Sequence, residues 1–297
     1  MEIEKETNIQ RNNFFCKNEI IISEKLKKYD FFYDYFTIII DYDYAKIADI
    51  KNSSFNISNS LNDNSNTNEF IIVKRNIPEI RLSFLEYFNS DILNYNILIS
   101  NIINSYDKLL NNIFLLNSNN ILHINLNHET IIINKITQQP VITDIKNTIM
   151  FPTEISILEH FLKKYNEKKY FLTPEFHLIM YMIKNENHSS NIIVNNVIIK
   201  NISDNIIKYN PVFNYFSTNF KNRYRNLVEL TLQSYQNISI QKLLEISWKT
   251  YNLFSISILY LLVICKISKL HNVNTNSMKK LIKQLLINIH PDFKERR

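Results

Sequence analysis

Residues 121–144 read ILHINLNHETIIINKITQQPVITD, and the rest of the chain is placed by how these residues are parsed. Ile121 to Leu126 alternates apolar and polar residues, which predicts an extended segment. Asn127, His128 and Glu129 interrupt it with a polar loop. Ile131 to Asn134 and Val141 to Thr143 are β-branched runs on either side of Lys135–Pro140, a spacing that predicts a small strand pair. The stretch ends on a carboxylate, Asp144, at the close of the second apolar strand.

Outward from this block, the two flanks differ. Upstream, Ile20, Ile21, Leu26, Tyr29, Phe32 and Tyr33 recur at helical spacing, predicting a helix over 18–35. Phe36 to Ile40 and Phe70 to Lys74 read as strands, the second stopped near Pro78. Between them Lys51 to Asn68 is a Ser/Asn-rich tract that reads as a surface loop. Residues 81–116 have a helical pattern with a break near Ser90–Asp91. Downstream of Glu175 the pattern is helical to the end, with Asn/Ser-rich breaks expected near 185–191 and 201–205. No internal repeat is visible. The class is therefore α+β, with a small β-containing N-terminal part and a large helical C-terminal part.

Composition removes several chemistries. The chain contains 45 asparagines and no glycine among its 297 residues, where average usage would give about 20 glycines. A phosphate-binding P-loop, a dinucleotide-binding GxGxxG turn and a nucleophile elbow all need glycine at fixed positions, so none of them is present. Asparagine tolerates the left-handed backbone region best among the other residues and is expected to take over such turns. The net charge is +6, but the lysines are scattered, and nucleic acid is not the expected partner. Cys16 and Cys265 lie too far apart for a metal or redox motif. His160, His177 and His188 lack metal-ligand spacing. The charged opening Met1–Gln10 does not read as a signal peptide. Leu253 to Ile264 is apolar but short for a membrane span of about 20 residues, so a buried helix and a cytoplasmic setting are expected.

Four weak motifs, in order, resemble the protein kinase family. In residues 121–144, His123 falls on the histidine of the H-R-D-L-K-x-x-N catalytic loop, Leu126 on its leucine, and Asp144 on the aspartate of D-F-G. Pro174–Glu175, in YFLTPE, resembles the end of the activation segment. Asn252 to Leu262 resembles the buried helix carrying D-x-W-S-x-G, with Phe254 at the tryptophan and Ser255 at the serine. Asp292 to Arg296 (DFKER) resembles the terminal D-P-x-x-R. The likeness is greatest to divergent kinase-like proteins of large nucleocytoplasmic DNA viruses. It implies a bilobal fold: an extension over 1–17, a reduced N-lobe over 18–78 and a helical C-lobe over 79–297. It also implies that Glu175 pairs with Arg296, and that Glu19 begins the helix whose glutamate holds the ATP-binding lysine.

The departures from the family pattern carry the functional expectation. The proton-accepting aspartate is replaced by Asn125, and an amide takes no proton at neutral pH. Asn127 replaces the loop lysine and Thr130 the second metal-ligating residue. The buried-helix aspartate is Asn252. Asp144 alone keeps its identity, as a possible Mg²⁺ ligand. Lys46 is the best-spaced candidate for the nucleotide lysine, and Lys74 lies too close to the loop. The resemblance therefore implies a catalytically inactive kinase-like regulator or scaffold with no cofactor. Its partner would be a protein, such as another kinase or a virion or host regulator. The alternative is an atypical serine/threonine kinase using Mg-ATP, with Lys46 or Lys146 supplying the missing charge.

Overall fold

The computed structural model describes residues 3–11, 13–30, 32–46, 69–89, 94–162, 171–185, 192–269 and 274–297. The chain is α+β and forms two compact units, Met1–Asn89 with Phe114–Met150, and Ser90–Ile113 with Phe151–Arg297. These do not follow the boundaries read from the sequence at 17/18 and 78/79.

Unit one begins with strand β1 (Ile3–Arg11) and helix α1 (Phe14–Leu26). Two long strands follow, β2 (Ile39–Lys46) and β3 (Glu69–Pro78). Both outer strands pair antiparallel with β3, giving the order β1–β3–β2. The first residues are therefore part of the sheet rather than an extension. The helix expected over 18–35 starts earlier, because the Asn13 side chain caps it by accepting from the Cys16 N–H at 3.0 Å. It ends at Leu26, and Phe32–Asp34 forms only a 3-10 turn. Phe36 makes a single bridge to Ile142, and the strand predicted there begins at Ile39. Residues 35–37 bond instead to Ile142, and the ladder with β3 carries a register shift between Ile39 and Asp41. The buried Asn76 amide holds the segment before β2, accepting from the Ile38 N–H at 2.8 Å and donating to the Phe36 carbonyl at 3.0 Å. Cys16 and Ile20 of α1 pack on Ile39, Ile71 and Val73 of the sheet. The Ser/Asn tract 51–68 lies outside the described residues.

The remainder of unit one is built from short elements. Strand β4 (Arg81–Ser83) and helix α2 (Phe84–Asn89) open the region expected to be two helices, and α3 (Tyr95–Ser118) closes it. The break near Ser90–Asp91 lies outside the described residues. Strand β5 (Ile121–His123) pairs with β8 (Thr148–Met150). Strand β6 (Ile131–Asn134) pairs with β7 (Pro140–Ile142), as the sequence pattern predicts, and also with β4. The extended reading of 121–126 holds only to His123, where the chain turns into the polar loop.

Unit two is helical: α4 (Ile155–Leu162), α5 (Pro174–Lys184), α6 (Asn196–Tyr209), α7 (Thr218–Ser234), α8 (Ile240–Ser247), α9 (Tyr251–Ile267) and α10 (Asn276–Asn288). The first 19 residues of α3 also belong to it. Side-chain caps from Thr173, Asn195, Ser217, Ser239 and Thr275 start five of these helices, each satisfying an N–H that would otherwise have no partner. The break expected at 201–205 is absent. Ile199, Ile202, Ile206 and Ile207 form a buried stripe through it, and this burial outweighs the weak helix propensity of Asn and Ser. The break expected at 185–191 falls mainly outside the described residues. Residues 240–267 are long and apolar enough to cross a membrane, yet they are largely buried within the protein. Burial on all sides is what a core helix shows, and α9 is the centre of this unit.

Four described residues have positive φ: Asn120, Gln138, Asp144 and Asn237. Two are asparagines, in keeping with the expectation that this residue replaces glycine at such turns.

Candidate functional site

A polar cavity of about 440 Å³ lies within unit one. Three groups of residues line it. Alternation along β1 turns Glu6, Asn8 and Gln10 toward the cavity, since side chains two apart share a sheet face. Glu19 of α1 and Arg75 of β3 form its ion-paired wall. The polar loop contributes Asn125, Glu129 and Thr130, with Asp144 and Lys146 after β7.

The Glu19–Arg75 pair is bidentate, with Nε to Oε1 and Nη2 to Oε2 both at 2.8 Å. The side chains are only 3% and 12% exposed, so each charge depends on the other for solvation. Glu19 lies inside α1 rather than at its start, and it holds an arginine from β3 where the resemblance implied a lysine. Lys74 and Lys46 are placed elsewhere on the sheet. Lys74 pairs with Asp41 at 3.1 Å on the exposed side of the sheet. Lys46 stands opposite Glu69, whereas Arg75 stands opposite Ile39. Six residues of strand separate those positions, roughly 20 Å at ~3.3 Å per residue. The signal for Arg75 is present in V-K-R-N, one residue past Lys74, because an arginine pairs with a carboxylate as readily as a lysine does.

The loop spends its polar side chains on its own backbone. His123 is fully buried, and its Nε2 donates to the Thr143 carbonyl at 3.0 Å. Its Nδ1 accepts from the Asn125 N–H at 3.3 Å, which fixes the neutral tautomer. Burial holds the His123 pKa below its ordinary value, against the opposing pull of the Thr143 carbonyl and the Asp144 charge. Asn127 Nδ2 donates to the Asn125 carbonyl and side-chain oxygen, both at 3.1 Å, while its Oδ1 accepts from the Glu129 N–H at 2.7 Å. The Thr130 hydroxyl donates to the Asn125 carbonyl at 3.0 Å and accepts from the Asn127 N–H at 2.9 Å.

Asp144 adopts a left-handed conformation, φ 61° and ψ 40°, at the start of a 3-10 turn over Ile145–Asn147. That geometry turns its carboxylate toward the cavity wall. One oxygen meets Lys146 Nζ at 2.9 Å and the other accepts from the Asn147 amide. Burial pushes the nearby Cys16 thiol up to about 11, with the Glu19 charge adding to the effect. The site therefore brings together Glu19, Asn125, Thr130, Asp144 and Lys146. It places His123 and Asn127 behind the loop as supports.

The other residues singled out from the sequence lie in unit two. Glu175, at the start of α5, and Arg296 form a fully buried bidentate pair at 2.6 and 2.9 Å. The Arg296 guanidinium also lies over the Phe254 ring, 4.9 Å from its centre. Ser255 bonds the Phe171 carbonyl at 2.8 Å. Asn252 is fully buried with neither side-chain polar atom hydrogen-bonded among the described residues. No family profile and no curated protein matches this chain.

Proposed function

We propose that this chain is a kinase-like protein that has given up phosphoryl transfer and serves as a binding module for another protein. The observation that carries the reading is the cavity of unit one. Its helix glutamate is charge-paired, its D-F-G-like Asp144 faces the same space, and an amide, Asn125, stands where the family has its proton acceptor. The buried Glu175–Arg296 pair adds support, since the resemblance implied that contact and geometry alone would not require it.

Mg-ATP suits this donor set poorly. Magnesium needs near-octahedral oxygen ligation, commonly by one or two carboxylates beside the phosphates. Asp144 has both oxygens engaged by Lys146 and Asn147, and the Thr130 hydroxyl is engaged by backbone. Transfer depends on positioning and charge neutralisation together. Two free cysteines accord with a reducing, cytoplasmic setting.

One observation favours the active alternative. Arg75, Arg81 and Lys146 all line the cavity, and cations there could stand in for the missing lysines. Transfer of labelled phosphate from Mg-ATP or Mn-ATP separates the readings. The binding-module reading expects none. Transfer that disappears in Asp144→Ala would establish the active one, because contaminating kinase ignores that substitution.

A further inference from the structure

Although the lysines are scattered along the chain, acids offset them everywhere except in one stretch, which carries the whole net charge. The chain has 34 Lys and Arg against 28 Asp and Glu, and residues 246–291 hold six lysines and no carboxylate. Everything outside 246–291 therefore balances at 28 of each sign. Six lysines without one acid is not the pattern of a solvated helix face, which mixes both signs.

The fold of unit two gathers five of these lysines at one end of a helix pair. Lys266 lies in the last turn of α9 and Lys269 just beyond it, while Lys279, Lys280 and Lys283 lie in the first eight residues of α10. Helices α9 and α10 pack together. On α10 the buried residues Met278, Leu281 and Leu285 define the inner face. At 100° per residue the three lysines fall on the opposite, outer face, and all three are exposed. Lys266, Lys279, Lys280 and Lys283 make no ion pair among the described residues, and Lys269 lies over the Tyr215 ring at 4.6 Å.

We propose that this lysine face of α9 and α10 is a docking surface for an acidic, Asp/Glu-rich segment of a partner protein. Three features select that occupant. No large hydrophobic residue of α10 is exposed, so the face lacks the apolar wedge with which an interfacial helix enters a membrane. The five cations gathered here are all lysines, whereas arginine is the residue suited to bidentate phosphate contacts; the neighbouring Arg297 meets α10 through its backbone, at Gln284 and Asn288. Among the described residues the ring beside the patch, Tyr215, is covered by Lys269 rather than open as a platform for stacking bases. Clustered ammonium groups instead suit carboxylates on an extended chain, where charge rather than fixed geometry selects the partner. The surface belongs to unit two alone and stands whether or not unit one is kinase-like.

The test uses the full chain and a fluorescent oligo-glutamate peptide, with a single-stranded oligonucleotide and phosphatidylserine vesicles as parallel probes. The peptide should bind, more weakly as salt rises. Lys279→Glu/Lys280→Glu/Lys283→Glu should weaken it about tenfold or more. A control reversing three exposed lysines elsewhere, Lys28, Lys135 and Lys200, carries the same net charge and should bind nearly as well as the parent. Equal weakening by both triple variants, no binding of the peptide, or tighter binding of the oligonucleotide or vesicles would overturn the proposal. Circular dichroism of both variants confirms that they are folded before the comparison is read.

Discussion

Removing either member of the Glu175–Arg296 pair should cost far more than an ordinary ion pair. The guanidinium has five N–H donors, and all five are placed. Nε donates to the His290 carbonyl at 2.8 Å, Nη1 to Glu175 Oε1 and Thr250 Oγ1, and Nη2 to Glu175 Oε2 and the Pro291 carbonyl. Both side chains are fully enclosed. Glu175→Ala leaves three donors satisfied and a buried charge with no counterion. Arg296→Ala leaves a buried carboxylate in the same position. Each should cost about 3–5 kcal/mol, or roughly 6–20 °C in Tm for a unit of this size. The double change leaves no charge behind, so its cost should be close to one single change rather than two. Arg296→Lys keeps the charge but loses the fork, and should fall between parent and Ala. Trp248 is the only tryptophan and belongs to unit two, where it stacks on Phe151 at 4.6 Å. Its fluorescence during denaturant unfolding therefore follows this unit. Costs that add within about 0.5 kcal/mol would show that the two groups are energetically independent, and the buried-charge reasoning would fail.

Other outcomes follow from unit one and from the buried polar groups. His123 is held neutral, with its folded pKa below its unfolded one. The unfolded chain then takes up the proton first, so stability is present at neutral pH and is lost as pH falls below about 6.5, by up to about 1.4 kcal/mol per unit. His123→Gln should flatten that part of the stability–pH profile, and an unchanged slope between pH 7 and 5.5 would refute it. Asn125→Asp should leave phosphotransfer undetectable, because parts of one constellation act together; turnover in this single variant would refute the binding-module reading. Asn252→Leu should be neutral or stabilising in chemical denaturation, since it removes a buried amide without hydrogen-bond partners; a loss of more than about 2 kcal/mol would show that the amide is satisfied in solution. Burial raises the Cys16 and Cys265 thiols to about 11, so iodoacetamide at pH 8 should modify both only after unfolding. Rapid labelling of the native protein, read by mass spectrometry, would contradict this.

How much could be read in advance depended on whether the signal was local. The β6–β7 pair was legible because two β-branched runs flank a short polar turn, and neighbouring strands need no distant information. The Glu175–Arg296 contact was also legible, though only through the order of motifs, since its partners are 121 residues apart. The failures came where tertiary packing outweighed composition. Asn201 to Asn205 looks like a loop by residue type, but the isoleucine stripe keeps it in α6. Residues 3–11 look like a tail, yet β3 supplies a full antiparallel partner. Arg75 was missed for a chemical reason: a guanidinium takes the position where an ammonium was sought, and the forked contact with Glu19 becomes visible only once β3 and α1 are packed.

The absence of glycine also acts on the unfolded chain. Exchanging a glycine for a residue with a side chain, where the native backbone allows it, stabilises by roughly 0.4–1 kcal/mol through lost disorder in the denatured state. Relative to a chain with about 20 glycines, the denatured ensemble here is restricted by an amount on the order of 10 kcal/mol. Against this stand the left-handed residues Asn120, Gln138, Asp144 and Asn237, each strained by about 1 kcal/mol. The asparagines carry the least of that strain and Gln138 has no special tolerance for it. The chain has therefore exchanged flexibility in the denatured state for a few points of strain in the native one, and its turns cannot serve as the freely pivoting hinges that glycine provides.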